Sequence, residues 1–417
     1  MAFAGKSDTR PHSDSEIAAD RPGRGSRIGK VPRFSISRRS LLLSSAAVLG
    51  CGVRKSTPYH GYCFVANQGS QTVAAVDLEE FRVRRQIALG AAPSLVLSHP
   101  QGLPRVYVLA PNAGTVYEID SGAMAVSRRA KAGNQAIAMQ MAASADALWV
   151  LYRDPAALVE LPLDSLRPRT RIALRSAPDS LALTGGGAEA PYAAIGSRQD
   201  NTITLVSLRG AGRRSIPAGF EPSLLSFRKD GKLVLAGSRP GRNLSIFDAA
   251  TGSIVVRLPL PLGPRYFQSN ADGGQLFLTG EGIDAVVIVF PFSTEVWQTV
   301  LAGHAPGAMA VAPGSTEYLL VANPDSDSIT VLDLATAKLV GVIGVGQSPC
   351  QILFTGGKRP FEQFVLVLDR KSGDMAVVRM LALSEPQLFS KPRLKSVSLL
   401  TMIPVGEGPV SAAVVAL

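Results

Sequence analysis

The stretch YCFVANQGSQTVAAVD (residues 62–77) returns 256 residues later as YLLVANPDSDSITVLD (318–333), and the second copy runs on through TAKLVGVIGVGQSP (336–349). Each copy holds two short apolar runs that alternate in the manner of half-buried strands, joined by a polar turn. Self-similarity of this kind is the mark of a stacked repeat. Working outward, Gly-x-x-Pro turns stand at Gly90, Gly219, Gly303, Gly346 and Gly406, with degenerate versions at Gly133, Arg175 and Gly263. Successive starts differ by 43, 42, 44, 44, 40, 43 and 60 residues, so the pattern gives eight units. The long last interval assigns its excess to Leu381–Lys395, a basic loop bearing proline.

No stretch carries a 3.6-residue apolar period, so helices should be few. In the fifth unit the apolar runs are Leu233–Gly237, Leu244–Phe247 and Ile254–Leu258, with Asp248–Gly252 as a turn. A single four-stranded sheet cannot bury both of its faces, whereas radial stacking covers both. The terminal run PVSAAVVAL (409–417) has the character of an innermost strand, the one the first unit lacks, so it should close the ring.

The two copies, with Val345-Gly-Gln-Ser-Pro349 after the second, resemble the repeat of the YVTN family of β-propellers, in which Tyr-Val-x-Asn and Thr-Val-x-Val-Ile-Asp are followed by Val-Gly-x-x-Pro, over about residues 62–417. The resemblance implies an all-β chain forming one propeller of about eight four-stranded blades, closed by the C-terminal strand. Seven blades are the alternative, since many relatives have seven. It implies little about function, because such propellers serve many roles.

Ahead of the repeats the composition changes. Residues 1–36 are polar and aperiodic, the composition of a disordered segment. Arg38 and Arg39 then precede an apolar run of about ten residues, and 37–50 resembles a twin-arginine export signal, too short to span a bilayer. Val48-Leu-Gly-Cys51 is similar to a lipobox, so Cys51 is the expected lipidation site, with simple cleavage nearby as the alternative. Residues 51–61 read as a linker. The expected location is therefore periplasm or outer envelope, with membrane attachment through a lipid on Cys51 and a monomeric ring.

Residues 1–50 carry a net charge of +5 and the remainder +6, so the ring itself is only mildly basic. Arginines recur near the outermost strands as Arg84, Arg85, Arg128, Arg129, Arg169, Arg171, Arg213 and Arg214. They could form a polyanion-binding band, nucleic acid included, or simply protect exposed strand edges. Aromatic residues, at 6%, are thin for single-strand stacking.

In a four-stranded blade, the loop into the inner strand shares a face with the loop between the two middle strands. Asn134, Glu221, Arg265, Tyr266, His304, Gln347 and Glu407 should thus ring one mouth of the central channel as candidate ligand contacts, the alternative being solvated turn residues. Asp77, Asp120, Asp164, Asp248 and Asp333 recur once per unit and read as turn caps rather than cation ligands.

Enzyme signatures are scarce. Four histidines form no metal-ligand pair, and Cys51, Cys63 and Cys350 form no Cys-x-x-Cys. No phosphate-binding loop or nucleophile elbow occurs. Two tryptophans are too few for the tryptophan-rich blades of quinoprotein propellers, and His304 is the one attractive candidate for a haem-d1-like axial role. A Cys63–Cys350 disulfide is conceivable between neighbouring blades. The sequence thus points to an exported binding or interaction module with no cofactor, no metal and no catalytic residue. A cofactor-bearing periplasmic enzyme and a polyanion binder are the rivals, and the natural partner is an envelope protein or polymer.

Overall fold

The computed structural model describes residues 59–417, except 187, 189–190, 211, 314–317, 357–361, 383–393 and 417. The disordered segment, export signal and lipidated Cys51 expected from the sequence lie outside the described residues. Those residues contain strands and no helix, arranged as eight four-stranded antiparallel sheets. The chain is an eight-bladed β-propeller.

Each blade runs from an inner strand outward. Blade five shows the pattern with Pro222–Phe227, Leu233–Ser238, Asn243–Asp248 and Ile254–Pro259 in that order. Its two middle strands are almost wholly buried because neighbouring blades cover both faces. The apolar clusters accordingly lie between blades. Phe64, Ala66 and Val73 of blade one pack with Val106, Val108 and Ile119 of blade two, and equivalent sets continue round the ring. Burial of that alternating apolar surface, at about 25 cal/mol per Å², is the main stabilising contribution.

The ring closes as expected. Pro409–Ala416 pairs antiparallel with Gly61–Asn67 and supplies the inner strand of blade one. Blade eight corrects the sequence reading of its long interval. Leu381 pairs with Ser396 and Ala382 with Leu394, so part of the excess lengthens the last hairpin, and 383–393 lie outside the described residues.

Two turn expectations are refined. Asp77, Asp120, Asp248 and Asp333 each accept backbone N–H groups two or three residues ahead, as turn caps do. Asp164 instead offers its carbonyl to Arg128, because the strand before it ends at Pro162. At Gly303 and Gly346 the glycine is required by close approach, and the left-handed residue comes two positions later, at Ala305 and Ser348. Cys63 and Cys350 are both free thiols, and Cys350 donates to the Pro409 carbonyl.

Candidate functional site at one mouth of the ring

Because an inner strand starts beside the end of its neighbour, the entry turns and middle-strand loops meet on one face, here called the upper face. Gly303 N–H donates to Asn323 Oδ1, Glu221 N–H to Asn201 Oδ1, Ser348 N–H to Asp327 Oδ1 and Gly69 N–H to the Glu407 carbonyl. The Gly303 bond ties an entry turn to the middle loop of its own blade, as the Gly69 bond does for the turn that closes the ring, whereas the Glu221 and Ser348 bonds tie entry turns to the middle loop of the preceding blade.

Three of the seven candidates come together in one upper-face cavity. Arg265, Tyr266 and His304 line a space of about 670 Å³ with Glu281, Asp284 and Asp325. Arg265 also lines a smaller adjoining cavity of about 170 Å³ with Glu221, Arg198 and Arg239. Asn134, Gln347 and Glu407 line neither space. Asn134 is held by Asp154, the Gln347 N–H by Ser372, and Glu407 by the Gly69 bond already given.

The site has fixed electrostatics. Asp284 Oδ2 lies 2.7 Å from His304 Nδ1, while Asp284 Oδ1 accepts the Ala305 N–H at 3.0 Å. The hydrogen bond from the imidazole, and then the N–H, hold the Asp284 carboxyl below its ordinary range. Reciprocally, that bond and the carboxylate charge raise His304. Glu281 Oε1 is shared by Arg239 at 3.3 Å and Arg265 at 3.4 Å, leaving two guanidinium groups on one carboxylate. Such a pair can present spare N–H donors to an anionic oxygen. No serine, threonine, cysteine or lysine is among the residues lining the larger cavity.

Sequence reasoning missed Asp284, Glu281, Arg198 and Arg239. A signal existed. At the upper end of the second strand, within its last two residues or just after it, stand Arg153, Arg198, Arg239, Glu281 and Arg370 in blades three to six and eight, a polar position recurring with the repeat.

The arginine band is placed differently from a free comb. Arg84 pairs with Asp77 and Glu80, Arg128 with Glu118, and Arg169 with Glu160. Arg85, Arg171, Arg213 and Arg214 donate to the carbonyls of Ala123, Ala132, Ala173 and Ala250, each on a neighbouring blade. Arg129 lies over the Tyr117 ring. Arg85, Arg171, Arg213 and Arg214, with Arg128, which also donates to the Leu163 carbonyl, lace adjacent blades together on one half of the rim, while Arg84, Arg129 and Arg169 are held within their own blades. Glu118 is held within blade two: burial alone would raise its carboxyl, yet bonds from Arg128 and Ser127 on the adjacent strand hold it low. Among the described residues no group of three or more acidic, histidine or cysteine side chains is placed to hold a metal ion.

No protein-family model matches the chain. A seven-bladed β-propeller protein of Mycobacterium tuberculosis, Rv1057, is 32% identical over 109 residues. That match covers 25% of this chain and 28% of the relative, so the chain spans little more than a quarter of the curated relative's length. Among solved structures, dihydro-heme d1 dehydrogenase NirN in complex with DHE is similar at a TM-score of 0.62 and 16% identity, over 83% of this chain and 75% of that one. Kuenenia stuttgartiensis hydrazine synthase follows at 0.54 and 16%, over 69% and 95%. The likenesses at these identities are of fold, and together with the eight closed sheets they make the chain an eight-bladed member of the β-propeller architecture.

Proposed function

We propose that this chain is an exported cell-envelope propeller that binds a partner through its upper face and performs no chemistry of its own. The observation that carries the reading is the cavity of about 670 Å³ where Arg265, Tyr266 and His304 converge with Asp284 and Glu281. Its donors suit carboxylate or phosphate oxygens of an envelope protein or polymer, with Tyr266 offering an apolar face. Export rests on Arg38, Arg39 and the apolar run after them, and attachment on a lipid at Cys51. The arginine band supports polyanion binding less than its sequence suggested, since its members are committed to carboxylates, a ring and neighbouring carbonyls.

A second reading has one observation in its favour. His304 is fixed by Asp284 inside a cavity of small-molecule size, and the similar NirN structure is a complex with DHE. A cofactor at that mouth would make the chain a periplasmic enzyme.

One experiment separates the two. Protein purified from its own host's membranes is examined by absorption spectroscopy and native mass. A colourless chain whose only excess mass is acyl groups on Cys51 supports the binding module. A chromophore or other bound mass, lost in His304→Ala or Arg265→Ala, overturns it in favour of the enzyme. A chain with no acyl mass removes the anchor without touching the binding site.

A further inference from the structure

The outer strands of the ring differ between its two halves. In six blades the outer strand carries a β-bulge opposite the step between the fourth and fifth residues of the third strand. A bulge leaves one residue outside the ladder and re-aims its side chain. In blades one and two that residue is Arg84 or Ser127. In blades five to eight it is Val255, Trp297, Val340 and Leu400, each between 43% and 51% exposed. Scattered surface apolars need no explanation, but four consecutive blades placing one at the same register do. Ile254, Leu339 and Leu399, immediately before three of these residues, are exposed too.

We infer that this bulge row on blades five to eight is a membrane-docking edge, seating the ring on a lipid surface. Three features favour lipid over a second copy or a protein partner. The bulges of blades five to seven sit next to the hairpins of the lower face, and Leu400 of blade eight keeps the same register counted from the upper end of its sheet, so the four lie at one level although the blade-eight hairpin runs on past it. Exposed Lys338 stands beside Leu339 and Val340 in the row, a basic group suited to headgroup phosphates, while Glu295 is the one acidic residue among the described outer-strand positions of these blades. The chain also joins the ring at this lower end: Gly61 O accepts the Leu78 N–H there, and blade one adjoins blade eight. Ten residue steps separate Cys51 from Gly61, at most about 36 Å of chain, so the inference rests in part on the lipid anchor proposed above.

Trp297 makes the proposal measurable, because the other tryptophan, Trp149, is 3% exposed. The full chain carrying Cys51→Ser, which cannot be acylated, is mixed with vesicles of phosphatidylethanolamine and phosphatidylglycerol at 3:1. Expected are a blue shift of the Trp297 emission and its quenching by brominated acyl chains, both absent in Trp297→Phe. The double variant Val340→Lys, Leu400→Lys should weaken that quenching at least about tenfold, since two buried aliphatic side chains are lost. Unchanged Trp149 emission confirms that the variant is folded. Absence of quenching overturns the inference, as does quenching that the lysines leave intact. A concentration-dependent shift without vesicles, with a doubled mass, assigns the row to a second copy instead. Binding that 0.5 M salt abolishes while Trp297 stays unquenched assigns attachment to the arginine half. Because Cys51 is replaced, failure here is distinct from failure of the anchor, which the acyl mass alone decides.

Discussion

Blade eight holds a defect in the repeat that predicts an inverted pH dependence of stability. At the upper end of the second strand, blades one and seven carry Asn67 and Asn323, both fully buried. Asn67 donates to the Val405 carbonyl; Asn323 accepts from Gly303 N–H and donates to Ser328 and Thr330. Their cross-strand partners are Thr72 and Ser328. In blade eight the pair is Asp369 opposite Asp374. Asp369 is fully buried and neither carboxylate oxygen has a well-formed hydrogen bond. A Cβ on Gly346 would stand 2.5 Å from Asp374 Oδ1 and 2.7 Å from Asp369 Oδ2, so the two carboxyls converge over that glycine. Burial, and then the neighbouring Asp374 carboxyl, push Asp369 up to about 8, the Gly346 and Ala376 N–H groups opposing only in part. An unfolded aspartate ionises near 3.9. Between those values the native state holds a proton that the unfolded state has released, so stability falls as pH rises through the window. One unit is 1.36 kcal/mol, so moving from pH 5 to pH 7.5 costs at most about 3.4 kcal/mol. Asp369→Asn restores the residue found in two sister blades and removes the titration. Thermal unfolding at pH 5 and 7.5 should show the wild type losing about 1–3 kcal/mol more than the variant across the interval. Equal pH dependence in the two proteins would refute a buried, protonated Asp369.

Three further outcomes follow from the same geometry. Arg128→Ala leaves Glu118 buried without its principal cation and should cost about 3 kcal/mol in denaturant unfolding, whereas Arg85→Ala, whose side chain is exposed, should cost less than about 0.5. By proton NMR, His304 should titrate above the ordinary histidine value because of Asp284, and His99 below it because of burial and then Arg105; Asp284→Asn should bring down His304 alone. Affinity for an anionic ligand at the upper mouth should therefore fall as pH rises through the His304 titration. Gly280→Ala would drive a methyl into the Gly263 carbonyl and toward the Arg265 N–H, costing about 1–3 kcal/mol and distorting the cavity beside Glu281, which calorimetric unfolding and ligand titration would read together.

The blades were legible because their turns and apolar alternation are local. A Gly-x-x-Pro start and a buried Val-Ala-Asn run obey rules spanning a few residues, and six near-equal intervals out of seven left little freedom in how the units stack. What resisted reading was set by register across strands or by neighbouring blades. Glu118 and Arg128 are ten residues apart and directly opposite on paired strands, a charge pair visible only once that register is known. Arg213 and Arg214 look like an anion comb until the ring brings the Ala173 and Ala250 carbonyls within reach. Asp284 and Glu281 escaped notice because the middle-strand loops vary more between blades than the turns that flagged Arg265 and His304.

The two halves of the rim suggest how a repeat protein acquires direction. Inter-blade burial must recur in every blade or the ring fails, so the core positions stay alike. The outer strand is free of that demand, and the sequence uses the freedom in two ways. On blades one to four, arginines bond to neighbouring blades and keep exposed edges charged, which discourages sheet-to-sheet pairing. On blades five to eight the same register carries Val255, Trp297, Val340 and Leu400, and the arginine lacing gives way to an apolar row. An exposed apolar edge is a liability for a ring free in solution. It ceases to be one if a surface covers it, and covering that edge would leave the upper cavity of Arg265 and His304 open to a partner at the other end of the blades.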